Sequence, residues 1–153
     1  MFRDALTELA SLSVTGVTTN YDVDALPVKL NRGQLPVLLV LPIENESTAQ
    51  RRLFSERGDG FEAIGFASGV RTVTYTVTHL LLVAPVTSER GLRDHLPGLV
   101  DLIDNYFTTL ATTITLGGRL LEPTQVKVEP GVFAYDETRY YGCAFRHEWV
   151  VQL

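Results

Sequence analysis

The sequence predicts an α+β domain: a single mixed or antiparallel β-sheet with two helices packed on one face and a long extended loop. Three observations predict it. Residues 71–83 alternate with period two, setting Val73, Tyr75, Val77, His79, Leu81 and Val83 against Thr72, Thr74, Thr76 and Thr78. Residues 92–110 instead repeat apolar side chains every three or four positions, at Leu92, Leu96, Leu99, Ile103, Tyr106 and Leu110. Residues 141–151 return to alternation, with Tyr141, Cys143, Phe145, His147, Trp149 and Val151 on one parity. The chain has 153 residues, 45% of them hydrophobic, which suits one domain over 1–153 with a sizeable core.

Taken in order, Phe2, Leu6, Leu9 and Leu12 fall at helical spacing, so 2–12 reads as a short amphipathic helix with acidic residues near its positive end. Val14 to Thr19 follows as a short strand, then a turn around Asn20-Tyr21-Asp22. Leu35 to Leu41 is an apolar run bounded by Pro36 and Pro42, the mark of a buried strand with Pro36 confined to its start. Residues 43–69 concentrate charge and glycine, broken by Leu53, Phe54, Phe61 and Ile64, and are expected to form the long loop. In the strand that follows, Leu80 and Leu82 make the second face apolar too, so its second half is expected to be covered on both sides. Thr87-Ser88-Glu89 suits a helix start, and Pro97 places the main helix from about residue 96. Asp94, Asp101, Asp104 and Thr108 form its wet side. Two closing strands are expected over Gln125–Phe133, interrupted at Pro130-Gly131, and beyond the turn at Asp136-Glu137.

Charge limits the function classes. Eighteen acidic residues outweigh thirteen basic ones for a formal net charge of −5, and the only lysines are Lys29 and Lys127. A surface that grips DNA through phosphate contacts needs clustered Lys and Arg, so nucleic-acid binding is not expected to be the main role. The longest apolar stretch, Leu35 to Ile43, contains two prolines and is too short to span a bilayer. Met1-Phe2-Arg3-Asp4 lacks the basic and apolar regions of a signal peptide, and the single Cys143 excludes an internal disulfide framework. A soluble, acidic domain made in a reducing compartment is the expectation.

The sequence carries few marks of chemistry. Gly58-Asp59-Gly60-Phe61-Glu62-Ala63 matches G-x-G-x-x-A, but no strand precedes it and no βαβ unit surrounds it, so a glycine turn is the better reading. Arg57-Gly58-Asp59 and the sequon Asn45-Glu46-Ser47 carry meaning only in an extracellular protein. His79, His147 and Cys143 share the apolar parity of their strands, but no close metal-ligand spacing or completing carboxylate accompanies them. Histidines with satisfied hydrogen bonds in the core, beside a small buried cysteine, are expected instead. The nucleophile-elbow, phosphate-loop and H-E-x-x-H patterns are all absent. No catalytic, metal or cofactor-binding residue is nominated, no cofactor is expected, and the chain is not expected to be an enzyme.

Several stretches in order form a recognisable series. A short helix runs into Leu12-Ser13-Val14-Thr15-Gly16-Val17, and the strand Leu35-Pro36-Val37-Leu38 precedes the long loop. Next come Val73 to Ala84, ending in Leu82-Val83-Ala84-Pro85-Val86, and the helix Leu99-Val100-Asp101-Leu102-Ile103. The closing strands carry Tyr141-Gly142-Cys143. The series resembles the tail terminator and head–tail joining (tail completion) proteins of long-tailed bacteriophages, through the order and length of elements over most of the chain. The resemblance implies a structural virion protein, assembled in the host bacterial cytoplasm and residing in the tail. It would cap the tail tube and join it to the head as a homo-oligomeric ring, a hexamer in that family. Its partners would be itself, the tail tube protein and a head-connector protein, with DNA passing unbound and no membrane involved. No catalytic residues carry over. The candidate interface is Arg51, Arg52, Phe54, Arg57 and Phe61 in the 43–69 segment, with Leu80 and Leu82. Two alternatives stay open: a small-molecule binding or catalytic α+β domain, and another phage tube or head-completion subunit.

Overall fold

The structure, a computed structural model, describes residues 2–42, 60–67, 70–87 and 91–152, with 60–67 and 70–71 described by their backbone. Helix α1 (Phe2–Ala10) turns Ala5, Leu6 and Leu9 inward and carries Asp4 in its first turn. Its outer side is clipped to the following turn, where Arg3 pairs with Asp24 and Thr7 donates to Asp22. Strand β1 (Thr19–Tyr21) begins later than the predicted 14–19. Val14 is used as a core side chain, and a turn closes from Val17 N–H to the Val14 carbonyl, with Gly16 at φ +90°. A Cβ on Gly16 would stand 2.9 Å from Leu102 Cδ2, so glycine also permits the close approach of the second helix.

Strand β2 (Val37–Leu41) is buried at all five positions, as expected for an apolar run following a proline. It lies parallel to β1 and antiparallel to β4 (Val70–Pro85), where Leu39 faces Leu80 and Val40 faces His79. Strand β3 (Gly60–Ala67) corrects the prediction of a loop through residue 69. It pairs antiparallel with the first half of β4, and its register shifts between Phe61 and Ala63. That bulge breaks the period-two signal, and the glycines at 60 and 65 dilute it further, which is why the run does not read as a strand.

Helix α2 (Leu92–Leu110) starts at Gly91 as N-cap and passes straight through Pro97 rather than beginning beyond it. Pro97 is exposed, so the Arg93 carbonyl it leaves unbonded can be met by solvent. Strand β5 (Gln125–Tyr135) likewise continues through Pro130-Gly131, pairing Pro130 with Cys143. Edge strands tolerate proline because alternate N–H groups point away from the ladder. A two-residue turn at Asp136-Glu137, with Asp136 at φ 55°, leads into β6 (Thr138–Gln152).

The sheet path is β1-β2-β4-β6-β5, with β3 paired to β4 off that path, and the parallel β1–β2 contact makes the sheet mixed. Both helices pack on one face: Leu6 and Leu9 of α1 join Leu99, Leu102, Tyr106 and Leu110 of α2 over Val77, Leu81, Phe145 and Trp149. This is the α+β arrangement expected. A second core lies on the other face, where Leu80, Leu82, Leu39, Phe133 and Tyr140 are covered by Leu26, Leu30 and Leu35 of the 22–36 connection. The threonine side of β4, which alternation with an apolar face would leave wet, is buried at Thr76 and Thr78. Leu41 and Arg146, the cross-strand neighbours of Thr78, stand on either side of it. No described helix is long and apolar enough to cross a membrane.

Candidate functional site

Beneath α2 the three adjacent strands β2, β4 and β6 put apolar residues and two histidines on one face. His79 stands between Val40 and Phe145, and His147 between Val77 and Val126. Both imidazoles are fully buried, as their parity predicts. Tyr106 descends from α2 between them, its ring stacked on Phe145 at a centroid separation of 3.7 Å and an interplanar angle of 6°. Its hydroxyl lies 2.8 Å from His79 Nδ1 and 2.7 Å from His147 Nε2. Asn20 Oδ1 is 2.8 Å from His79 Nε2, and Thr124 Oγ1 is 2.9 Å from His147 Nδ1. Asn20, His79, Tyr106, His147 and Thr124 therefore form one continuous hydrogen-bonded chain from β1 to the segment before β5.

The Asn20 end of this chain sets the direction of its protons. Asn20 donates through Nδ2 to the Leu9 carbonyl in the last turn of α1 and to the Leu12 carbonyl just beyond it, so its Oδ1 must accept from His79 Nε2–H. His79 Nδ1 then accepts from the Tyr106 hydroxyl, whose oxygen accepts from His147 Nε2–H, and His147 Nδ1 accepts from Thr124. Both imidazoles are neutral in this arrangement. Protonating His79 would turn its acceptor nitrogen into a donor aimed at the Tyr106 proton. Burial works in the same direction, holding His79 well below the usual histidine range, with His147 adding to the effect, and lowering His147 to about 3. Burial likewise keeps the Tyr106 phenol protonated.

This chain is a closed polar structure and offers little chemistry. Every ring nitrogen is engaged, so neither histidine can bind a metal or take a substrate proton without breaking a bond in the core. Cys143, buried on the same face, has its thiol pushed up to about 12 by burial and is not a thiolate nucleophile. Among the described residues no group of three or more His, Cys, Asp or Glu could hold a metal ion. An open groove of about 510 Å³ runs along residues 10–20, and none of its lining side chains is ionisable.

Among the described residues, the outer flank of α2 leaves apolar side chains open to water. Leu99, Leu102, Tyr106 and Leu110 face the core, whereas Leu96 is 46% exposed, Val100 55% and Phe107 40%. On a helical projection these three lie side by side, about 60–100° around the axis from Leu99. Asp104, one turn from both Val100 and Phe107, and Asp101 border the ridge and are exposed. The prediction counted Leu92 and Leu96 as core, but the helix starts beyond the sheet's cover and both are about half exposed. The signal was an apolar arc, from Leu102 through Leu99 and Ile103 to Val100, wider than one buried face requires.

The predicted interface residues fare differently. Leu80 and Leu82 are fully buried in the second core and cannot meet another molecule, because the 22–36 connection already covers them. Phe61 belongs to β3, opposite Tyr75. Arg51, Arg52, Phe54 and Arg57 lie outside the described residues, as does the predicted loop up to residue 59. Tyr106, Asn20 and Thr124 were not singled out as partners of the histidines, since only tertiary proximity joins positions so distant in sequence. Comparison with protein families, curated proteins and solved structures yields no match to this chain.

Proposed function

We propose that the chain is a non-enzymatic structural subunit that associates with copies of itself in a ring, capping the tail tube of a long-tailed phage and joining tail to head. The observation that carries the reading is the contrast between interior and surface. In the helix-facing core Asn20, His79, Tyr106, His147 and Thr124 satisfy one another, while α2 leaves an apolar ridge of Leu96, Val100 and Phe107 open to water. The acidic balance of −5 fits a lumen that repels passing DNA rather than holding it. The phage role itself rests on the order of elements from the N-terminal helix to the closing strands.

The test is light scattering with electron microscopy of the purified chain, alone and mixed with isolated tail tubes. A six-fold ring, alone or at a tube end, is the expected result. A chain that stays monomeric and ignores tube ends would overturn the proposal. A chain that binds a small molecule along residues 10–20 and does not assemble would favour the binding-domain alternative.

A further inference from the structure

Two surfaces on opposite faces of the sheet are apolar at the centre and opposite in charge. The first is the α2 ridge, where Val100 stands between Leu96 and Phe107, with Asp101 and Asp104 beside it. The second is the tip of the 22–36 connection. That segment is anchored to the second core by Leu26, Leu30 and Leu35, and Tyr135 Oη donates to the Pro27 carbonyl. Anchoring on both sides pushes the intervening residues outward. Val28 is 82% exposed, the most exposed large apolar side chain described, and Lys29 and Arg32 are exposed with it.

Charge favours pairing the two. Among the described residues, Lys29 and Arg32 have no carboxylate partner, and Asp101 and Asp104 have no basic one. The pairs of Arg3 with Asp24 and Lys127 with Glu129 lie elsewhere. Arg93, the basic residue of α2, is about 12 Å along the axis from Asp101. An apolar knob with two cations therefore faces one way, and an apolar ridge with two anions faces the other.

We infer that the Val28–Arg32 tip of one copy docks on the Leu96–Phe107 ridge of the next, Val28 entering beside Val100 while Lys29 and Arg32 meet Asp101 and Asp104. This rests on the ring proposed above and names the contact that builds it. A joint between two different surfaces is heterologous, and repeating it builds a ring where the rotation from copy to copy closes. Two ridges meeting each other would instead place four aspartates together, and like charges across an interface oppose association.

Charge reversal in two variants tests the pairing by sedimentation velocity, with circular dichroism to check the fold. Variant one carries Lys29→Glu and Arg32→Glu, and variant two carries Asp101→Lys and Asp104→Lys. All four positions are exposed, so both variants should keep the wild-type spectrum and melting temperature. Each alone should need a concentration about tenfold or more higher than wild type to assemble. An equal mixture should recover wild-type assembly, because each variant's tip then meets an oppositely charged ridge on the other. If either variant assembles alone as well as wild type, or the mixture recovers nothing, the pairing is wrong while the ring stands. If Val100→Asp blocks association that both charge variants retain, the ridge meets something other than the tip, again against the pairing. Wild type that never assembles, with or without tail tubes, overturns the ring itself.

Discussion

Tyr106 has one hydroxyl and two imidazoles to serve. Replacing it with Phe keeps the ring on Phe145 but leaves His79 Nδ1 without a donor and His147 Nε2–H without an acceptor, both fully buried. Each orphaned group costs roughly 1–3 kcal/mol, so Tyr106→Phe should lose about 2–6 kcal/mol in urea unfolding at neutral pH. The same chain sets a pH dependence. Both histidines have folded-state values below the unfolded 6.5, so the unfolded chain binds more protons as pH falls from about 6.5. Stability is therefore full above that pH and declines below it, by up to about 1.4 kcal/mol per pH unit for each ring, until pH reaches the folded value. For His147 that value is about 3. Urea unfolding between pH 6.5 and 5, where ordinary carboxylates remain ionised, should show this slope. A flat profile would mean that the rings are not buried and neutral.

Elements here tolerate residues that local propensity disfavours wherever the offended group can reach solvent. Pro97 sits on the wet side of α2 and Pro130 on an edge strand. In an interior strand the margin disappears. Gly142 of β6 faces Leu82 at the point where β4 shifts register between Leu82 and Ala84. A Cβ there would fall 2.0 Å from the Leu81 carbonyl oxygen, a backbone atom held in the central strand. Gly142→Ala should therefore cost about 3 kcal/mol or more, by moving β4 and β6 apart, whereas Gly98→Ala on α2 meets nothing and should stabilise by up to about 1 kcal/mol. Thermal unfolding of the two variants checks both directions. The same distinction explains which elements are legible in sequence. β4 and β6 keep a regular alternation over their core-facing halves, while the bulge in β3 and the proline in α2 displace the signals that mark a strand and a helix start.

At the scale of the molecule, a sheet covered on both faces leaves limited surface for function. The helices occupy one side, the 22–36 connection covers part of the other, and α2 retains an uncovered flank because it is wider in apolar residues than the strands beneath it require. An assembly joined through Lys29, Arg32, Asp101 and Asp104 should weaken as salt rises. At roughly 1 M, where the Debye length is about 3 Å, the concentration needed for assembly should be several-fold higher than in dilute buffer. Sedimentation at two ionic strengths measures this, and salt-independent assembly would point to apolar contact alone.

What the sequence by itself determined is the repeat within each element: which residues of β4 and β6 share a face, that Leu80 and Leu82 require cover on the second one, and that His79 and His147 lie in the core. These follow from periods of two and 3.6, which are local properties of the backbone. Only the tertiary structure decided that Tyr106, Asn20 and Thr124 complete the histidine chain, and that Leu80 and Leu82 are covered from within rather than by a partner. It also decided that the flank of α2 carrying Leu96, Val100 and Phe107 stays open. Those outcomes depend on where the chain crosses itself and how far each element extends past its cover, and no periodicity along the chain encodes either.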